Sequence, residues 1–358
     1  MLTIHVGLHK TGSTAIQKGL SRLSPGELRG IRYLGRESSA NNDGFRWGAR
    51  HFCIPARAHQ TQTVRLLRQG HHVVLSDEDF LGWPGREEGE IYESAAEDAA
   101  RVREFFKDIT PFKLVVYIRP QQDWAESVYN QLAKSAELDA AKFGERLIES
   151  PYIRWSRLVA DIKEQIGPDR LVVRPYLPDT NVTADFLSLL GLTTPRRLTA
   201  ASRQNPSLTP QQLVLRQKLS KVLEDADELS LLGWAMQMVT TPVSRPSPQI
   251  FSYFPEVIQE ELIRIAANDW AQLREEVADT LWASPRLFES VALHVQQASA
   301  KRYLGPLSDV SADEETVQLI RRLLPYVRSH PSNLPSRARR FFRRFSHQIE
   351  SVSSNWMR

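Results

Sequence analysis

Cysteine is nearly missing from this chain: Cys53 is the only one in 358 residues. A lone thiol cannot close an internal disulfide and leaves a structural zinc site short of its usual ligands, so Cys53 reads as a buried or incidental thiol. Long apolar runs are missing as well. No stretch approaches the roughly 20 residues that cross a bilayer. The opening MLTIHVGLHK has no basic start, long apolar core or small-residue cleavage site, so a secretory leader is not expected and a cytoplasmic location is. Charge of one sign is scarce too. Lys and Arg number 46 against 42 Asp and Glu, a net charge of +4. That is mild for this length and does not by itself point to nucleic acid. There is no internal repeat.

What is present is an ordinary globular balance, 41% hydrophobic and 25% charged, with length for one large domain or two modest ones. Short apolar runs at 2–7 (LTIHVG), 72–76 (HVVLS), 113–118 (KLVVYI) and 171–175 (LVVRP) predict strands. Helical spacing follows at 15–23, 91–109, 122–136, 152–166 and 182–190, the last stopping at Gly191. Residues 35–62 carry no clear period and read as loop with short helices. Strands that alternate with helices, each a continuous apolar run, predict an α/β fold: a three-layer parallel sheet flanked by helices over 1–210. From Thr209 the chain reads as mostly helical, with breaks at Pro242, Pro246, Pro248 and Pro285. A helical extension over 211–330 and a basic amphipathic tail over 331–358 complete the expected organisation.

Ligands of such sheets bind beyond the carboxyl ends of the strands, and the candidate motifs fall there. After the first strand comes Gly7-Leu-His-Lys-Thr-Gly-Ser-Thr14. A loop between a strand and a helix N-terminus aims several amides and the positive end of the helix dipole at one spot, which suits a phosphate or sulfate. The nucleotide-triphosphatase loop GxxxxGK[ST] needs a lysine where Ser13 stands. The loop's lysine is Lys10, three residues earlier. Nor is there a convincing acidic strand end to hold magnesium, Asp77 and Asp79 being the nearest candidates.

This loop resembles the 5′-phosphosulfate loop of PAPS-dependent sulfotransferases, a strand followed by PKTGTT or PKSGTT, with His9 in place of the proline. The resemblance implies a P-loop-like fold, PAPS as sulfuryl donor and PAP as product. It implies that Lys10 contacts the 5′-phosphosulfate and stabilises charge on the bridging oxygen, while Thr11, Gly12, Ser13 and Thr14 wrap the phosphate. The third strand runs into Arg119, and Ser127 lies eight residues on, in YIRPQQDWAESVYNQ. This pair, with Tyr129 nearby, is similar to the family's 3′-phosphate motif and implies that Arg119 and Ser127 bind the 3′-phosphate. Arg203, in Arg203-Gln-Asn-Pro-Ser207, resembles a later loop that closes on the nucleotide; a surface turn reads equally well. The resemblance covers about residues 1–210, by motif.

Sulfuryl transfer is an in-line displacement at sulfur that requires no metal in principle, and the acceptor hydroxyl must lose a proton. The second strand ends in Ser76-Asp-Glu-Asp79. By resemblance to members acting on glycans and tyrosine, Glu78 is the first choice of base, with Asp77 and Asp79 as alternatives. An acidic turn that caps the next segment is the plainer reading. His9, His51, His71 and His72 rank below Glu78. Arg46, Trp47, Arg50 and His51 suit a sugar or anionic acceptor, or an ordinary loop. Trp83 and Trp124 invite the same acceptor reading, with core packing favoured for both. The expected partner is an acceptor with a hydroxyl or amine, a glycan or another large acceptor being favoured. The tail segment SRARRFFRRF, residues 336–345, written as a helix is basic and amphipathic, suited to an anionic membrane surface or acidic polysaccharide, or a solvated tail. Two other readings stand beside this one: a P-loop kinase or NTPase, and a non-catalytic nucleotide-binding module.

Overall fold

The structure, a computed structural model, describes residues 1–35, 57–82, 84, 91–107, 111–133, 138–177, 181–198, 210, 213–214, 251–278 and 285–306. Arg203, Cys53, the segment with Arg46, Trp47, Arg50 and His51, Trp83 and the arginine-rich tail lie outside these residues. The chain divides into two compact units. The first gathers Met1–Val128, Gly144–Gln204 and Val257–Ala300; the second gathers Tyr129–Phe143, Asn205–Glu256 and Lys301–Arg358.

The first unit is built on five parallel strands: β1 (Leu2–Gly7), β2 (Arg32–Gly35), β3 (Val73–Asp77), β4 (Phe112–Ile118) and β5 (Leu171–Pro175). Their order across the sheet is β2-β3-β1-β4-β5. All six residues of β1 are buried, as a central strand covered on both faces must be. Among the described residues of the whole chain the α-helices are α1 (Ser13–Ser21), α2 (Arg57–Arg68), α3 (Ala95–Phe106), α4 (Gln121–Leu132), α5 (Ala140–Glu149), α6 (Trp155–Ile166), α7 (Val182–Leu189), α8 (Glu256–Glu276) and α9 (Pro285–Gln296). On one face α1 and α7 bury Ile16, Leu20, Val182 and Phe186 against Val74, Val115, Tyr117 and Val172. Between β3 and β4 the chain forms α3, which packs on α6. The expected three-layer α/β architecture is therefore the one observed.

Several local devices fix these layers. Asp185 on α7 accepts hydrogen bonds from the Tyr117 hydroxyl at 2.6 Å and from Arg174 Nε at 3.1 Å, tying the helix to β4 and β5. The buried Asp269 of α8 caps α6 from another element. Its carboxylate accepts from the amides of Trp155 (2.7 Å) and Ser156 (3.1 Å), from Gln121 Nε2 (2.7 Å) and from the Ser156 hydroxyl. His5 points from β1 toward Tyr117 and Phe186, with Nδ1 2.7 Å from Ser76 Oγ. Burial holds its pKa down to about 3.

Several elements differ from the sequence expectation by their presence, among them the short strands of the second unit. The edge strand β2 and the helix α5 both appear where no element was read, and α2 is a regular helix running out of the region read as loop with short helices. The helix expected over 91–109 begins at Ala95. A turn precedes it in which Tyr92 holds a left-handed φ of 54°. In the second unit, Tyr129, Phe143, Tyr253 and Phe254 share ring contacts, Asn130 Nδ2 donates to Tyr253 Oη at 2.9 Å, and β6 (Phe251–Ser252) pairs with β7 (Arg302–Tyr303). No helix among the described residues is long and apolar enough to cross a membrane.

Candidate functional site

The loop between β1 and α1 leaves the middle of the sheet, with β3 and β4 on either side of β1. Two residues in it take left-handed backbone: Lys10 with φ 67° and Gly12 with φ 89°. For lysine that conformation costs on the order of 1 kcal/mol and persists only where the surroundings impose it. Gly12 also has no room for a side chain. A Cβ there would stand 2.7 Å from Val182 Cγ1 and 3.0 Å from Tyr176 Cε2. At Gly7 a Cβ would lie 1.9 Å from Ser13 Oγ, so the start of α1 closes onto the end of β1 only because position 7 is bare.

The loop's polar groups divide by direction. The Thr11 hydroxyl donates back to the Leu8 carbonyl and braces the turn from inside. Gly12 caps α1 without a side-chain hydrogen bond, and its carbonyl accepts from Ala15 (2.9 Å) and Ile16 (3.1 Å). Among the described residues, no acceptor meets the amides of Lys10, Thr11, Gly12, Ser13 or Thr14, and none meets the buried Ser13 hydroxyl. Unpaired amides at a helix start, carrying the dipole's positive end, form an anion cradle.

Positive and negative side chains converge on it. Arg119 follows β4, and its Nη1 donates to the Lys10 carbonyl at 3.3 Å. Its guanidinium lies 5.6 Å from the centre of the Tyr176 ring, the ring that also walls Gly12. Its Nε is buried with no partner among the described residues. Burial pushes the Lys10 ammonium below its ordinary pKa; Glu78 opposes that shift and Arg119 adds to it. Lys10, Arg119 and Glu78 thus share one electrostatic environment. Ser127 lies two turns into α4, half-buried, and its hydroxyl makes no hydrogen bond among the described residues. Thr14 is half-buried on the first turn of α1.

The three acids after β3 have separate tasks. Asp77 is wholly buried, and its Oδ1 accepts from the Asp79 amide at 3.1 Å, capping the short 3-10 turn Glu78–Leu81. Asp79 Oδ1 lies 3.2 Å from His9 Nε2. Glu78 is half-buried and acts on Lys10. His9, Glu78 and Asp79 bring one ligand atom each within 4.8 Å of one another, a donor set that suits a divalent ion, although the Lys10 ammonium beside Glu78 opposes a second cation. His71 and His72 sit at the opposite end of β3, away from the loop, and His72 Nε2 is 2.9 Å from Thr3 Oγ1.

Some residues that build the site gave no sequence signal. Tyr92 accepts the His9 amide at 2.8 Å on its Oη, which is also 3.3 Å from His9 Nδ1. Burial pushes the Tyr92 phenol far above its ordinary pKa and keeps it neutral. Trp124 is core, as its sequence reading has it, yet its Nε1 donates to the His9 carbonyl at 2.9 Å. Tyr176 and Trp155 likewise carry no motif.

No family model matches the chain, and no solved structure matches it. The chain is similar to an uncharacterized protein of Archaeoglobus fulgidus, 31% identical over 109 residues. That similarity spans 29% of this chain and 29% of the archaeal protein.

Proposed function

We propose that the protein is a PAPS-dependent sulfotransferase. One observation carries the reading: Arg119 reaches the main chain of Lys10, so the residues expected to hold the 3′- and 5′-phosphates of one nucleotide stand together. The cradle of free amides supports an anion there, and a lysine inside the loop suits a bridging oxygen. In the reaction an acceptor hydroxyl or amine attacks sulfur while the bond from sulfur to the bridging oxygen breaks. Glu78 takes the acceptor proton, and Lys10 meets the charge that develops on the departing 5′-phosphate of PAP. Thr11, Gly12, Ser13 and Thr14 contribute their amides, Ser127 its hydroxyl, and Arg203 belongs to the same proposal as a residue closing on the nucleotide. A carbohydrate or other large acceptor is the favoured class.

The cluster of His9, Glu78 and Asp79 favours one other reading, a kinase or NTPase working on a magnesium nucleotide. Calorimetry with PAP, ADP and ATP·Mg separates the two. We expect micromolar binding of PAP that needs the 3′-phosphate and weakens about tenfold or more in Lys10→Ala and in Arg119→Ala, as lost charge-assisted contacts do. With PAPS, Glu78→Ala is expected to keep PAP affinity and lose transfer. A preference for ATP·Mg, or no PAP binding, would overturn the sulfotransferase reading; PAP binding without transfer to any acceptor would leave a binding module.

A further inference from the structure

Three buried aromatic side chains connect the loop to Arg119, and each does so through its single polar atom. The Tyr92 Oη accepts the amide of His9 at 2.8 Å. Trp124 Nε1 donates to the carbonyl of the same residue at 2.9 Å. Trp155 Nε1 donates to the carbonyl of Arg119 at 2.6 Å. The rings touch in series: Tyr92 and Trp124 lie 6.1 Å apart at 44°, Trp124 and Trp155 5.1 Å apart at 87°. Arg119 then returns to the Lys10 carbonyl at 3.3 Å and closes the circuit.

A buried indole N–H or phenol must find a partner, but any main-chain group would serve. Here the main-chain partners are confined to His9, next to Lys10, and to Arg119 itself. Tyr92 holds its place in a left-handed backbone that a tyrosine rarely adopts, so this contact is kept against a local conformational cost. Close-packed aromatics do not deform gradually, so the circuit fixes a distance.

We propose that Tyr92, Trp124 and Trp155 are positioning residues, an aromatic bracket that sets the spacing between the loop at Lys10 and the guanidinium of Arg119 and thereby selects a ligand with two separated phosphate groups. The selection rests on the nucleotide reading above. A ligand with one phosphate engages one half of the site and is indifferent to the spacing. A 3′,5′-bisphosphate engages both and loses the benefit of preorganisation when the spacing relaxes.

The test titrates PAP, 5′-AMP and 3′-AMP into the parent protein and into Tyr92→Phe, Trp124→Phe and Trp155→Phe. Each variant keeps an aromatic ring and removes the polar atom. PAP affinity is expected to fall about tenfold while each monophosphate changes less than about twofold. Equal weakening of all three ligands would mean general loosening and would overturn the proposal, as would unchanged PAP affinity. Tyr92→Phe removes one hydroxyl and carries the test if a tryptophan variant does not fold. Hydrogen exchange over residues 8–14, measured without nucleotide, is expected to quicken in Tyr92→Phe and Trp124→Phe relative to α6. Should the parent bind no PAP, the nucleotide reading fails, and exchange alone decides the bracket: quickening retains it, and no change removes it.

Discussion

His5 is wholly buried against Tyr117, Phe186 and Ser76, where a protonated imidazole would lose its hydration. Its folded pKa of about 3 lies below the unfolded value near 6.5. A depressed pKa contributes stability above the unfolded value and loses it as pH falls toward the folded one. Between about pH 6 and pH 5, before carboxylates titrate, the unfolded chain takes up a proton that the folded chain refuses. His5 alone then costs up to about 1.4 kcal/mol per pH unit. Urea unfolding at the two pH values is expected to show a slope in His5→Gln smaller than the parent's by about that amount, His72 contributing to both; equal slopes would place the acid sensitivity elsewhere. At this scale the sequence was legible where chemistry sits in one side chain. Lys10, Arg119 and Glu78 could be nominated because each carries its charge in a loop or at a strand end, and the structure brings the three into one electrostatic environment. Tyr92, Trp155 and Tyr176 were not. Their contribution is a phenol, an indole N–H or a ring face meeting a distant main chain, and no local spacing encodes that meeting.

Among elements, the start of α6 depends most on a remote residue. Its N-cap position is Arg154, which supplies no side-chain cap. Asp269, more than 100 positions away, accepts two of the orphan amides there, and also Gln121 from the start of α4. Burial raises the Asp269 pKa and these donors oppose that shift. Asp269→Ala would leave both amides, the Ser156 hydroxyl and Gln121 Nε2 without their acceptor in the interior. The expected loss is about 2–4 kcal/mol in urea unfolding with an unchanged m value, summing a lost cap and unsatisfied buried donors. A loss under about 1 kcal/mol would show that α6 is held by its apolar face alone. The same contrast explains which elements were legible. The strands β1, β3, β4 and β5 are apolar runs because both faces are covered. The edge strand β2, Arg-Tyr-Leu-Gly, is four residues long and opens on an exposed arginine, so it carries no such run. In α5 a glycine, Gly144, interrupts the interior and weakens the helical reading.

For the whole molecule the charge is unevenly spread. Arg337, Arg339, Arg340, Arg343 and Arg344 fall within ten residues, so the rest of the chain is close to neutral. Two kinds of anion recognition are proposed, with different physics. The nucleotide proposed for the loop meets amides, a helix dipole and partly buried cations, where salt screens weakly. The arginine cluster offers only long side chains alternating with Phe341, Phe342 and Phe345, and its attraction to an anionic lipid surface decays over about a Debye length, ~10 Å at 0.1 M salt and ~3 Å at 1 M. The intact protein is expected to sediment with phosphatidylserine vesicles at low salt and to leave them at high salt. A chain shortened to end at Pro335 should lose that binding and keep its PAP affinity within about twofold, since a membrane contact and a nucleotide cradle draw on separate charges. Vesicle binding that survives high salt would assign the contact to the phenylalanines rather than the arginines. No vesicle binding by the intact protein would end the membrane role and leave the cluster as a solubilising tail, and a shortened chain with weakened PAP binding would make those arginines part of the nucleotide site.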